Sequence, residues 1–251
     1  MSSYAIPRRG LQQEIQAIVK RYIIDHRFQS GDLLPGEGEL ARQMGISRPS
    51  LREAMKVLQT IGVVETRHGS GTYVGSLSLE PFADGMAFHI LIASQQSPDP
   101  PQDLLDIVGV REAIETTRIR QVVGLHSDEQ LREIQQICDE MEAMDVGAGA
   151  FGALDQALHR AFYAPLNSQV YDEIVKAFWT ISNATIRPYA DQFQRDANAE
   201  HRVIVDAIVK QDADGATDAM RVHIRNIAND LRQGFDADRL REDALRLDQL
   251  A

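Results

Sequence analysis

Between Gly31 and Val74 the chain reads GDLLPGEGELARQMGISRPSLREAMKVLQTIGVVETRHGSGTYV, which sets a short helix, a tight turn, a longer helix and a glycine-tipped hairpin almost end to end. Over Gly38–Met44, Leu40, Ala41 and Met44 recur at helical spacing and leave Arg42 and Gln43 on the other side. Gly45 suits a left-handed C-cap, and Ser47 can cap a second helix whose first turn tolerates Pro49. Ser50-Leu-Arg-Glu53 offers an alternative cap one triplet later. From either start the buried stripe is Leu51, Ala54, Met55 and Leu58, so Arg48, Ser50, Arg52 and Lys56 fall on outward or end positions. Val63–Arg67 and Thr72–Val74 then alternate as strands around His68-Gly69-Ser70-Gly71.

A helix pair joined by three or four residues, with cations and hydroxyls opening the second helix, suits a major groove about 12 Å wide. Ser47, Arg48, Ser50 and Arg52 are the predicted contacts there, Arg48 and Arg52 foremost. The hairpin reads as a wing, whose glycines allow close approach to a phosphate or minor groove and whose Arg67, His68 and Gly69 sit at its tip. Taken singly, the helix pair or the hairpin reads as ordinary packing; their order together points to double-stranded DNA.

These residues also resemble the winged helix-turn-helix of the GntR family of bacterial transcription regulators. The likeness runs over residues 8–75: a first helix with Leu11, Ile15, Ile18 and Ile23, Pro35-Gly36-Glu37 before Glu39-Leu40-Ala41, Gly45-Ile46-Ser47-Arg48, Leu51-Arg52-Glu53-Ala54, Gly62, and Gly69-Ser70-Gly71-Thr72-Tyr73-Val74. Gly38 departs from it, standing where the family often carries a long polar or basic residue that touches DNA.

A formal net charge of −11 looks wrong for a nucleic-acid binder until the chain is divided. Residues 1–75 hold ten Lys and Arg against seven Asp and Glu, a net +3, whereas residues 76–251 carry −14. Local phosphate neutralisation governs affinity, so the basic part can bind while the acidic part limits nonspecific contact. Two modestly basic domains bind better together than one, which points to a homodimer. No apolar run of about 18 residues exists, and Met1-Ser-Ser-Tyr lacks the parts of a signal peptide, so a soluble cytoplasmic protein with no membrane partner is expected. Cys138, the single cysteine, is expected to face the core.

The expected organisation is a winged helix-turn-helix domain over 1–75, a linker over 76–80, an all-α domain over 81–235 and a C-terminal helix over 236–251. Helical periodicity runs over 81–94, 102–124, 128–144, 149–164, 168–187, 196–211, 213–234 and 236–249, with breaks at Ser97–Pro101, Gly124–Ser127, Gly147-Ala-Gly149, Asn167 and Asp212. The fold class is therefore mainly α, with one small β-hairpin and a C-terminal antiparallel bundle of seven or eight helices.

Within that bundle four polar side chains occupy inward stripes. Phe151, Leu154, Asp155, Leu158, His159 and Phe162 form one stripe, so an Asp and a His stand at i and i+4 on a buried face. His201 shares a stripe with Ala197, Ile204, Val205 and Ile208, and His223 one with Ala216, Ala219, Met220, Ile227 and Leu231. One carboxylate and three imidazoles facing one interior suit a divalent ion, Zn, Ni or Mn. The alternative is a set of separately satisfied core histidines. His89 and His126 carry no partner pattern, and Phe178 and Trp179 read as core.

Asp155-Gln-Ala-Leu-His159-Arg-Ala-Phe162, Asn167, Glu200-His201-Arg-Val-Ile204, Ala207-Ile208, Asp212 and Ala219-Met220-Arg-Val-His223-Ile224 resemble the FCD ligand-sensing domain of the FadR subfamily within GntR, over residues 80–235. The resemblance implies that the Asp and three His bind the metal and that a small organic acid effector completes its coordination. Leu158 replaces a more usual Phe, a conservative change, and the complete set argues against an acyl-CoA ligand. Val110-Arg111-Glu112-Ala-Ile-Glu115 resembles the opening helix of that domain, where the Arg points at the effector. Arg111 is thus an effector candidate, with pairing to Glu115 on a solvated face as its alternative; Asn183 is the second candidate, with a plain surface role as its own. The expected function is a ligand-responsive repressor of catabolic genes on a pseudo-palindromic operator. The competing readings are a metal-dependent enzyme on small organic acids and a regulator whose C-terminal domain only dimerises.

Overall fold

In the computed structural model, residues 8–97, 99–144 and 151–234 are described. The chain divides into two compact units, Met1–Pro81 and Phe82–Ala251.

The first unit contains α1 (Arg8–Asp25), α2 (Glu37–Met44), α3 (Arg48–Thr60), β1 (Val64–Arg67) and β2 (Gly71–Val74). Gly45 ends α2 with φ at 66°, and the Ile46 N–H returns to the Ala41 carbonyl at 2.9 Å. Ser47 caps α3: its Oγ accepts the Ser50 N–H at 3.3 Å, and Pro49 sits in the first turn. The alternative cap at Ser50 is therefore not used. Ser47→Ala is expected to cost about 1 kcal/mol of stability, readable as a lower chemical-denaturation midpoint of this unit.

Leu40, Ala41, Leu51, Ala54, Met55 and Leu58 close on Ile15, Val19 and Ile23 of α1. Leu11 and Ile18 are instead substantially exposed, so the buried stripe of α1 runs through Val19. β1 and β2 pair antiparallel, Val64 opposite Val74 and Arg67 opposite Gly71. The segment before α2 extends this pairing: Gly31 N–H donates to Val74 O at 2.9 Å, Val74 N–H to Asp32 O at 2.9 Å, and Leu34 N–H to Thr72 O at 2.8 Å. Glycine suits position 71, because its φ is 116°, a conformation that L side chains rarely adopt.

From α4 (Glu80–Ala93), which begins two residues before the second unit, the described residues form seven α-helices, the others being α5 (Gln102–Val122), α6 (Asp128–Ala143), α7 (Phe151–Tyr163), α8 (Gln169–Thr185), α9 (Arg187–Val209) and α10 (Ala213–Gly234). The expected helix over 236–249 and the break at Gly147-Ala-Gly149 lie outside the described residues or at their edge. Short connections at Gly124, Asn167 and Gln211 turn through positive φ, and a Ser127/Gln130 capping box opens α6. α10 packs on α5 and α9, α6 on α7 and α9, and Leu104, Ile119, Ile134, Leu158, Phe162 and Met220 fill the core. Cys138 is buried in it, and burial pushes its thiol up to about 11.

One helix differs from expectation. α9 begins at Arg187 rather than near residue 196, and a proline stands in its first turn. Pro188 is tolerated there, because a missing N–H is harmless where no intrahelical acceptor exists.

Candidate functional site

The first unit presents its cations along one set of elements. Arg48 and Arg52 are exposed on α3, and Arg67, His68 and Gly69 are exposed at the hairpin turn, where Gly69 has φ at 72°. The Ser47 hydroxyl also donates to Ser50 Oγ at 2.8 Å, so both serines shape the start of α3. Arg52 Nε donates to Glu37 Oε2 at 3.0 Å, and Arg67 pairs with Glu65 while its guanidinium lies 4.3 Å from the centre of the Tyr73 ring. Exposed pairs of this kind contribute about 0–1 kcal/mol, so a phosphate or base edge can displace the carboxylate. No sequence pattern marks the Tyr73 platform under Arg67.

In the second unit, α7, α9 and α10 bring Asp155, His159, His201 and His223 together. One nitrogen from each histidine lies within 4.8 Å of the others, and all three rings are buried. Asp155 Oδ1 lies 3.0 Å from His201 Nε2 and 3.6 Å from His159 Nε2, and those two nitrogens are 3.4 Å apart. The outer nitrogens of two rings are held by carboxylates. His159 Nδ1 meets Glu115 Oε2 at 2.6 Å, and His223 Nδ1 meets Glu200 Oε2 at 2.8 Å. Each acid orients the Nδ1–H outward and leaves an Nε2 lone pair facing the cluster. His223 Nε2 is buried with no hydrogen-bond partner, and the buried Asp155 Oδ1 has the His201 and His159 imidazoles as its neighbours.

Electrostatics keep Asp155 and His223 in ligand form. Burial pushes the Asp155 carboxyl up, but His201, then His159 and His223, outweigh it and bring it to about 2. Burial first, and the neighbouring imidazoles second, hold the His223 pKa well below 6.5, so its ring is neutral at pH 7. Against the same burial penalty, Arg111 and His159 hold Glu115 well below the usual carboxylate range.

Arg111 is paired with Glu115, as the alternative reading had it, but both are buried rather than solvated. Its Nη2 lies 3.3 Å from His159 Nδ1, so it borders the histidines. Tyr163 Oη donates to Glu115 Oε2, the oxygen that meets His159 Nδ1, at 2.8 Å. Trp179 is core and site wall at once: His159 meets it edge-on at 5.6 Å, and the Arg111 guanidinium lies 4.9 Å from its ring. Asn183 sits one turn further along α8, exposed, beside Gly152 on α7. His126 and His89 have separate partners, the Phe162 carbonyl at 2.9 Å and Asp103 at 3.0 Å.

Glu115 and Glu200 carry no signal of their own in sequence. Glu115 reads as the acid of an i,i+4 surface pair, and Glu200 lies off the stripe that contains His201. Three nitrogens and one carboxylate oxygen gathered in one buried cluster, His223 Nε2 among them without a partner, could hold a divalent cation that accepts nitrogen and oxygen donors.

A family model described as "Bacterial regulatory proteins, gntR family" matches residues 11–74, and one described as "FCD domain" matches residues 106–226. The "Putative L-lactate dehydrogenase operon regulatory protein" of Escherichia coli (strain K12) is 27% identical over 253 residues, 94% of this chain and 91% of that protein. The "HTH-type transcriptional repressor NanR" of Cronobacter sakazakii is 24% identical over 226 residues, 88% of this chain and 85% of that one. A solved structure described as Streptococcus agalactiae GntR shares the fold with a TM-score of 0.58, at 24% identity, covering 86% of this chain and 98% of that chain. With both family models matched in chain order and the relatives spanned nearly end to end, the chain belongs to the GntR family of bacterial regulatory proteins: it is a DNA-binding transcription regulator with an FCD domain, not an enzyme.

Proposed function

We propose that this regulator, of the FadR type and cytoplasmic, senses a small organic acid through a divalent ion held by Asp155, His159, His201 and His223. It acts as a homodimer that represses catabolic genes from a pseudo-palindromic operator. The observation that carries the sensing role is the convergence of these four donors, with His223 Nε2 buried and unpartnered and Asp155 Oδ1 buried against His201. Buried polar atoms left unpaired cost about 1–3 kcal/mol each, a cost that a cation in their midst removes. When bound, a divalent ion supplies an open coordination position for a carboxylate oxygen.

The chain's own groups do the rest. Glu115 and Glu200 fix the ring tautomers, and Asp155 supplies the anionic ligand. Arg111 stands beside the cluster as a flanking cation, and Trp179 walls off water. A small carboxylate also accords with the name of the E. coli relative, whose operon concerns L-lactate, and repression with the name NanR carries. On the DNA side, Ser47, Arg48, Ser50 and Arg52 enter the major groove, while Arg67, His68 and Gly69 reach the adjacent minor groove.

The test is metal analysis of the full chain after dialysis against Zn²⁺, Ni²⁺ or Mn²⁺. One tightly held ion per chain is expected; ions retained only substoichiometrically, and equally by Asp155→Ala, would refute the reading. Glu200→Gln is expected to weaken metal affinity about 10- to 100-fold, measured by competition with a chromogenic chelator, while leaving the helical content unchanged.

A further inference from the structure

Gly38 is the second residue of α2, in a helix that glycine disfavours. The side chain of Arg48, the first residue of α3, lies directly over it. A Cβ on Gly38 would stand 3.0 Å from Arg48 Nη2, 3.2 Å from Cζ and 3.4 Å from Nε, so the guanidinium occupies the space that a side chain at 38 would take. Arg48 differs from its neighbours in a second respect. On α2, α3 and the hairpin, Arg42 pairs with Glu39, Arg52 with Glu37, Lys56 with Glu53 and Arg67 with Glu65. Among the described residues, no carboxylate partners Arg48, and it is exposed.

We propose that Gly38 is the seat of Arg48, a positioning residue whose missing side chain lets the guanidinium rest over the first turn of α2. The two residues then act as one unit in operator recognition. A long side chain at 38 and a seated Arg48 exclude each other, so the cationic fork at this corner comes from α3 rather than α2. A guanidinium held by packing rather than by a carboxylate keeps its donors free for the O6 and N7 acceptors of a guanine. The proposal rests on the reading that the start of α3 contacts DNA, and the test separates the two.

The probe is a duplex selected by the unmodified full-length protein from a randomised pool, with unselected duplex as the nonspecific control. Arg48→Ala is expected to weaken binding to the selected duplex about tenfold or more. Gly38→Met, which fills the seat without adding a donor, is expected to do nearly the same. In the Arg48→Ala background Gly38→Met should then change affinity by less than about twofold, because contacting residues are coupled. Gly38→Ala, whose Cβ asks the exposed guanidinium to shift by only a few tenths of an ångström, should raise the melting temperature, since alanine favours the helix, and lower the specific affinity less than Gly38→Met does. That opposition of signs separates a positioning role from a merely structural one. If Arg48→Ala binds the selected duplex as the unmodified protein does, the α3 reading fails and the seat with it. If Arg48→Ala weakens binding but the Gly38 variants do not, or weaken it equally with and without Arg48, only the seat is overturned.

Discussion

His201→Ala is expected to lower metal affinity by at least about 100-fold, beyond the range typical of losing an outer hydrogen-bonding partner. His201 Nε2 lies between the other donors, 3.0 Å from Asp155 Oδ1 and 3.4 Å from His159 Nε2, so its removal opens the set at its centre. The same variant should lose the melting-temperature increase that added metal gives the unmodified protein, because a ligand stabilises only in proportion to its binding to the folded state. Its metal-free form should still fold. His201 gives up its contact with Asp155, but Ile204, Val205 and Ile208 keep α9 in the core. Isothermal titration of the chelator-treated protein measures the first effect and scanning fluorimetry the second. An unchanged titration would remove His201 from the ligand set.

Arg52→Ala is expected to reduce specific operator binding about 5- to 150-fold, the worth of one good side-chain contact to a base, while leaving assembly state and melting temperature nearly unchanged. The small structural effect follows from exposure. The Arg52–Glu37 pair is solvated, with Arg52 60% and Glu37 37% exposed, and such pairs contribute little to folding. A mobility-shift titration at fixed salt reads the loss, with unselected duplex as the control for plain charge removal. Equal loss on both duplexes would make Arg52 a phosphate contact rather than a reader of sequence.

Most of this architecture is legible in the sequence because its elements are locally determined. Ser47, Gly45 and the Leu51–Leu58 stripe define α3 through capping and periodicity alone, and the three histidines betray themselves as polar residues on apolar stripes. What escapes is set by packing between distant segments. Glu115 looks like one half of a surface pair until α5 meets α7, 44 residues away, and its carboxylate reaches His159. Glu200 points not along its own helix but to His223 on the next. Trp179 reads as core and is core, yet it also faces Arg111 and His159. The early start of α9 at Arg187 is not marked by its apolar periodicity, which begins only near residue 196. Gly38 reads as a missing contact, whereas the space it leaves is filled by Arg48.

Coupling between the buried histidines and DNA requires that the effector bind one state of the protein better than the other, and coupling free energies of about 1–3 kcal/mol correspond to roughly 5- to 150-fold in affinity. The decisive measurement is an anisotropy titration of the selected duplex with metal-loaded full-length protein, in the presence and absence of a panel of small carboxylates including L-lactate. At least one carboxylate is expected to shift the operator Kd by about 5- to 150-fold in the unmodified protein, with no shift after chelation or in His201→Ala. A carboxylate response that persists undiminished in the chelated protein and in His201→Ala would contradict control through this site.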